Sequence, residues 1–284
     1  MFAITGITGK VGGQVARVLL AAGQSVRAVV RDAGKGAAWG KCGCEVSIAN
    51  MEDPEALAAA FSGAHGVFVL LPPIFDPSPG FPETRATVAA VRSALEAAHP
   101  SKVVCLSTIG AQAAETNLLT QLTLMEQSLG ELPMPITFLR PAWFMENCSW
   151  DVAPARETGF IPSFLQPLDK LFPMVATADV GRVAAESLVE TRTGRRIVEL
   201  EGPRGLSPND IAAGFSMILG RPVRMEAVPR DTWESLFKSQ GMKNPMPRVR
   251  MIDGFNEGWI DFQGGDAATR KGTVELETVL RGLI

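Results

Sequence analysis

Along the first half of the chain, short and nearly all-apolar runs alternate with longer stretches in which apolar residues recur at helical spacing. The first run, Phe2-Ala3-Ile4, is followed by Val11, Val15, Val18, Leu19 and Ala22, which share one face of a helix closed by Gly23. Ser25 to Arg31 reads as the second strand, a polar and glycine-rich helical stretch leads to Gly43, and Glu45 to Ala49 reads as the third strand. Asp53-Pro54-Glu55 then supplies a cap, a proline at the first helical position and an acid in the first turn, ahead of an inward stripe of Leu57, Ala60 and Phe61. Gly66 to Leu71, Val103 to Leu106 and Ile136 to Leu139 carry almost no polar residue, as expected of parallel strands covered by helices on both faces. This alternation, with its short connections, predicts an α/β fold built on a doubly wound parallel sheet.

The periodicity weakens from Trp143 to Met174, where proline and aromatic residues accumulate and the chain is expected to leave the sheet. A helix resumes at Thr177-Ala178-Asp179 with Val180, Val183, Ala184 and Leu188 inward, and Arg196 to Leu200 is a further strand. Ser207-Pro208-Asn209-Asp210 opens another capped helix, with Ile211, Phe215, Ile218 and Leu219 on its inner face and Gly220-Arg221-Pro222 at its end. A last helix is expected near Thr273 to Leu283. Residues 1–147, continued by 175–203, are thus expected to form the sheet domain, and residues 148–174 with 204–284 a smaller carboxy-terminal lobe.

Composition narrows the function classes. With 284 residues, 46% of them hydrophobic, the chain can bury a substantial core. A net charge of −3, from 27 basic and 30 acidic residues in mixed order, gives no field that would gather nucleic acid or anionic lipid. No apolar run reaches the roughly 18 residues that cross a bilayer, and Met1 beside the first strand leaves no room for a signal peptide. Four cysteines without framework spacing fit a reducing cytoplasm, and Cys42 and Cys44 have no second Cys or His pair nearby in sequence to complete a zinc site. The expectation is a cytoplasmic protein that uses no metal, nucleic acid or membrane, with a homodimer left open.

The candidate chemistry begins where the first strand ends. Thr5-Gly6-Ile7-Thr8-Gly9-Lys10-Val11-Gly12 spaces its glycines as Gly-x-x-Gly-x-x-Gly. Gly6 and Gly9 lack a Cβ, so the backbone can turn sharply and approach a pyrophosphate, while Gly12 lets the following helix pack tightly on the strand. The N–H groups of Thr8, Gly9, Lys10 and Val11 at the helix start then point at the phosphates, whose charge the helix dipole favours. A glycine turn in this setting is the phosphate grip of a Rossmann domain. In such a sheet the second strand ends beside the adenosine ribose, where an acid binds the free 2′-hydroxyl and a cation suits the 2′-phosphate of NADP. Arg31, with Lys35 and Lys10 adding charge, favours NADP; Asp32, turned inward, would select NAD instead. Pro72, Pro73, Pro77, Pro79 and Pro82 crowd the loop after the fourth strand. That loop is either a stiff surface loop or a flap over the cofactor, with Leu70, Leu71 and Pro72 lining the ribose and nicotinamide side.

The glycine turn, Val26-Arg27-Ala28-Val29-Val30-Arg31, Leu70-Leu71-Pro72-Pro73, Leu106-Ser107-Thr108-Ile109-Gly110-Ala111, Phe138-Leu139-Arg140-Pro141 with Glu146-Asn147, and Ala178-Asp179-Val180-Gly181-Arg182-Val183-Ala184 follow one another in a characteristic order. In this the chain resembles, over nearly its whole length, the NmrA-like family of atypical short-chain dehydrogenases/reductases. The resemblance implies an NADP-binding Rossmann domain with a small substrate lobe. Family activities include reduction of quinones, dyes and phenylpropanoid ethers, and some members bind cofactor as redox sensors without turnover. The resemblance adds to the cofactor-binding residues Pro141 and also Asn50, which stands where the family often has an aspartate near adenine.

Short-chain dehydrogenases usually place a Tyr-x-x-x-Lys pair at the nicotinamide, and this chain contains no tyrosine. Some relatives carry a lysine or histidine shortly before the glutamate equivalent to Glu126, but Leu118 to Met125 offers only Thr120, Gln121 and Thr123. His65 lies before the fourth strand, at the wrong sheet edge, and His99 follows a helix end. What remains is a reaction that needs hydride but little protein-supplied acid, such as quinone reduction, in which water protonates the reduced oxygen. Ser107, Asn147 and Phe144 are the candidate catalytic residues, with Ser107 also a cofactor contact; Trp143, Trp150 and Phe172 are further candidates for aromatic walls. Two functions follow: an NADPH-dependent oxidoreductase acting on a small conjugated carbonyl, or an NADP-binding regulatory protein without turnover.

Overall fold

Each apolar run of the first half forms a strand in the computed structural model, which describes residues 1–265 and 268–284. The strands are β1 (Phe2–Ile4), β2 (Val26–Val30), β3 (Glu45–Ile48), β4 (Gly66–Val69), β5 (Lys102–Leu106), β6 (Ile136–Pro141), β7 (Trp143–Phe144), β8 (Phe160–Ser163), β9 (Met174–Val175), β10 (Arg195–Glu201), β11 (Arg224–Ala227) and β12 (Arg270–Lys271). Eight of them form one parallel sheet in the order β12-β10-β6-β5-β4-β1-β2-β3. The chain runs from β1 to β3 at one edge and returns to β4 on the other side of β1, so the strand order reverses between β1 and β4. Ligands of open parallel sheets bind at the carboxyl ends of strands at such a reversal. The edge strand β12 comes from the carboxy-terminal stretch, pairing Arg270 and Lys271 with Leu200 and Glu201. The pairs β7–β9 and β8–β11 stand outside the main sheet.

The helices are α1 (Lys10–Ala21), α2 (Ala33–Lys41), α3 (Pro54–Phe61), α4 (Pro82–Ala98), α5 (Thr120–Leu129), α6 (Val152–Glu157), α7 (Thr177–Val189), α8 (Pro208–Leu219), α9 (Trp233–Ser239), α10 (Met246–Glu257) and α11 (Leu276–Leu283). Local signals explain their ends. The Asp53 carboxylate accepts from Ala56 N, and Ser207 and Asp210 form a reciprocal capping box at the start of α8, which ends at Gly220 in the left-handed conformation.

Helices α1 and α7 bury Val11, Val15, Leu19, Val180, Val183 and Leu188 on one face of the sheet, and α3, α4 and α5 bury Leu57, Phe61, Val91, Leu95, Met125 and Leu129 on the other. A Cβ on Gly181 would lie 2.5 Å from Gln14 Cβ, so that glycine permits the close approach of α7 to α1. A third apolar cluster holds Phe172, Phe215, Trp233, Phe237, Phe255 and Leu280, drawn from residues of the 145–176 stretch and from α8 to α11.

Candidate functional site

The turn after β1 has the backbone that its glycines permit. Gly6 has φ +62°, and a Cβ on Gly12 would lie 2.4 Å from the Gly6 carbonyl oxygen, so neither position accepts a side chain without backbone movement. Thr8, Gly9 and Lys10 are exposed, leaving the helix start open to a ligand. Thr5 Oγ1 donates to Phe68 O and accepts from Leu70 N, and Leu70 packs about where a Gly6 Cβ would stand. The glycine turn and the start of the post-β4 loop, far apart in sequence, thus form one wall.

Arg31 is exposed immediately beyond β2. Among the described residues, Lys10, Arg17, Arg31 and Lys35 have no carboxylate within ion-pair distance, although the chain pairs many of its other cations. Asp32 does not neutralise Arg31; its carboxylate caps α2 by accepting from Lys35 N at 3.1 Å. Arg17, which sequence reasoning missed, stacks on Trp39 with its Cζ 5.5 Å from the ring centroid. Both side chains line a cleft of about 590 Å³, together with Ile7, Thr8, Gly9 and Lys35. Unpaired cations beside an open glycine turn fit a dinucleotide bearing an extra phosphate. Asn50 is exposed just past β3, and among the described residues its side chain has no hydrogen-bond partner.

At the carboxyl end of β5, Ser107 is buried and donates from Oγ to Glu126 Oε1 at 2.5 Å. The Glu126 carboxylate also takes a fork of two bonds from Arg140, at 2.8 Å from Nε and 2.6 Å from Nη2. Arg140 Nη1 donates to the Gln112 and Gln263 side chains and lies 3.9 Å from Glu199. Hydrophobic patterning does not reveal this network; its one signal in the sequence is Arg140, the lone charge of a strand that reads Ile-Thr-Phe-Leu-Arg-Pro. Pro141 is buried at the end of β6, its carbonyl accepting from Ile109 N. Leu70 and Leu71 are half-buried and Pro72 is exposed at the mouth of the post-β4 loop.

Phe144 and Asn147 are half-buried where the chain leaves the sheet. Phe144 packs against the apolar cluster that holds Ile4, Ile7 and Leu106, and among the described residues the Asn147 amide has no hydrogen-bond partner. Their neighbour Glu146 accepts from Thr177 N and Oγ1, capping α7. Asp179 is likewise structural, since its buried carboxylate accepts from Arg182 and from the N–H groups of Thr273 and Val274. Burial pushes its pKa up, but these hydrogen bonds outweigh that and hold it below the usual carboxylate range.

Phe172 is buried in the third apolar cluster, not in an open wall, whereas Trp150 is exposed and Trp143 stacks edge-on against Phe255. The His65 ring packs edge-on against Phe2 and its backbone N–H donates to Met1 O at the amino edge of the sheet, and His99 caps the end of α4. Neither histidine reaches the carboxyl edge. No group of His, Cys, Asp and Glu able to hold a metal occurs among the described residues, nor does any helix there have the length and apolarity to cross a membrane.

A doubly wound parallel sheet with a glycine turn at its strand reversal defines an α/β protein of the Rossmann class. Residues 1–270 match the NmrA-like family model, and the chain belongs to that family. It is 28% identical to an NAD(P)H azoreductase of Xenophilus azovorans over 85% of this chain and 82% of the relative. A (4-alkanoyl-5-oxo-2,5-dihydrofuran-3-yl)methyl phosphate reductase of Streptomyces griseus is 32% identical over 81% of this chain and 78% of its own. The fold resembles an NADPH-dependent quinone oxidoreductase of Escherichia coli in complex with NADPH, with a TM-score of 0.83, 22% identity and coverage of 100% and 99% of the two chains. A Citrobacter triphenylmethane reductase complexed with NADP(H) superposes with a TM-score of 0.78 at 22% identity, covering 99% of each chain.

Proposed function

We propose that this protein is an NADPH-dependent oxidoreductase that reduces a small conjugated carbonyl such as a quinone. The observation that carries the reading is the open glycine turn flanked by the unpaired cations Lys10, Arg17, Arg31 and Lys35, with Asp32 committed to capping α2. The named activities of the relatives, on azo compounds, a furanone phosphate, quinones and triphenylmethane dyes, support a conjugated acceptor. Residues 1–147 with 175–203 carry the cofactor in this reading, and 148–174 with 204–284 form the acceptor lobe, supported by an apolar cluster drawn mostly from those residues, which Ile109, Leu118, Met145 and Ala176 join from the sheet side.

The chemistry that NADPH supplies when bound is hydride donation from C4 of its nicotinamide. The backbone from Gly6 to Val11 would hold the diphosphate, Arg31 with Lys35 the 2′-phosphate, Asn50 the adenine edge, and Leu70, Leu71, Pro72 and Pro141 the ribose and nicotinamide side. Ser107 gives its own proton to Glu126, so its oxygen is left to accept, which suits the carboxamide amino group of a nicotinamide. Asn147 is the residue free to donate to an acceptor oxygen, and Phe144 offers it an aromatic wall. With no tyrosine in the chain, the reduced oxygen takes its proton from water. Four unpaired thiols support a cytoplasmic setting.

Steady oxidation of NADPH with a panel of quinones is the test. Tight NADPH binding without turnover would overturn the enzyme reading and leave a cofactor-binding regulator. Arg31→Ala is expected to lower the preference for NADPH over NADH about tenfold. An unchanged affinity ratio would defeat the cofactor assignment.

A further inference from the structure

The aromatic core of the lobe is capped by arginines, and one of them lacks the partner its neighbours have. Arg230 stacks on Trp233 and is neutralised by Asp253, at 2.5 Å and 2.7 Å. Arg250 stacks on Trp259 and pairs with Glu115 and Asp253. Arg248, on α10 between them in sequence, stacks on Phe237 with its Cζ 4.5 Å from the ring centroid. Among the described residues the only hydrogen-bond partner of its side chain is Met242 Sδ, 3.9 Å from Nη1, and no carboxylate lies within ion-pair distance. Burial holds this guanidinium below the usual arginine range. Arg248 is only half-buried, and none of its nitrogens is both sealed from solvent and unpartnered.

Its place in the fold gives that open cation a use. The preceding residue, Pro247, accepts from Leu118 N at 2.8 Å, and Gln121 Nε2 donates to Ile74 O. Lys243 N and Asn244 N donate to the Asp76 carboxylate. The segment carrying Arg248 is therefore stitched to the loops that leave β4 and β5 at the carboxyl edge, where the cofactor turn also opens. A half-buried guanidinium over an aromatic ring, with no carboxylate partner among the described residues, is matched by a planar ligand with an anionic oxygen group, which accepts its paired N–H donors.

We propose that Arg248 is a specificity residue that selects conjugated acceptors bearing a carboxylate or sulfonate. The acceptor role of the ligand rests on the oxidoreductase reading; the anion recognition does not. The test compares wild type, Arg248→Met and Arg248→Lys with 1,4-naphthoquinone and its 2-sulfonate at saturating NADPH. Arg248→Met should lose about 10- to 100-fold in kcat/KM for the sulfonate and stay within about threefold for the neutral quinone, with Arg248→Lys in between. Equal changes with both acceptors, or none, would overturn the proposal. The lysine variant carries the comparison if the methionine variant does not fold.

Calorimetric titration of the NADPH-loaded protein with redox-inert naphthalene-2-sulfonate separates the two readings. Absent quinone turnover with sulfonate binding that Arg248→Met abolishes would sink the oxidoreductase and keep the anion site. A wild type that does not bind the sulfonate, or a methionine variant that binds it equally, would sink the anion site.

Discussion

Arg140 is a guanidinium with 3% exposure in a strand that otherwise reads Ile-Thr-Phe-Leu, and such a charge persists only where it is paired. Glu126 supplies that partner and in the same stroke orients Ser107. Replacing Glu126 with Gln turns an all-acceptor group into one that also presents donors to Arg140. The expected loss is about 3 kcal/mol of stability in chemical denaturation, with a fall in turnover. Ser107→Ala removes only the hydroxyl; it should cost about 1 kcal/mol while lowering turnover comparably, so the two variants separate positioning from folding.

Asp151 gives a second prediction at this scale. Burial pushes its carboxyl up to about 7, from an ordinary value of 3.8, with a hydrogen bond from Cys148 opposing the rise. Between those two values the folded protein keeps a proton that the unfolded chain releases, so stability falls as pH rises through that window. Asp151→Asn removes the effect. Its melting temperature should therefore gain on wild type between pH 4 and pH 8, and parallel profiles would show that the carboxyl does not titrate there. Of these residues, Ser107 was legible in sequence from its place at a strand end. The Glu126–Arg140 pair and the raised Asp151 were not, because each depends on what tertiary packing brings around a side chain.

At the scale of elements, legibility follows the strength of local signals. The six amino-terminal strands, α1, α3, α7 and α8 could be read because apolar runs, caps and terminal glycines agree with one another. Toward the carboxy terminus, α9 spans only Trp233–Ser239 and buries just Trp233 and Phe237, too short a stripe to stand out, while α10 mixes charges with its inward residues. Strand β12 has two exposed residues and no apolar pattern at all; it exists because β10 offers it an edge.

In the function proposed above, the element that holds the cofactor is the turn into α1. A Cβ on Gly12 would meet the Gly6 carbonyl oxygen at 2.4 Å, a contact between two backbone segments that no rotamer relieves. Gly12→Ala must shift α1 away from β1, and NADPH affinity, measured by fluorescence titration, should weaken about tenfold or more while the circular dichroism of the sheet persists. Unchanged affinity would mean that the dinucleotide does not use this turn.

At the scale of the whole molecule, the loop after β4 and the segment before α10 meet through contacts that no sequence window contains. Asp76 lies in the proline-rich loop after β4, and its carboxylate accepts from Lys243 N and Asn244 N, 167 and 168 residues further on, while Asn244 Nδ2 donates to Pro77 O. The sequence offered two readings of this loop, a stiff surface connection or a flap over the cofactor cleft. The latch between this loop and the segment before α10 distinguishes them by experiment. Asp76→Ala removes both acceptors at once, and amide exchange of residues 73–80 and 242–248 should quicken. If the loop closes the acceptor site, KM for the quinone rises several-fold while NADPH affinity stays within about twofold, because the glycine turn is held by its own contacts with Leu70 and Thr5. Faster exchange with an unaltered KM would assign the prolines to a passive surface loop and leave the acceptor site to the lobe residues alone.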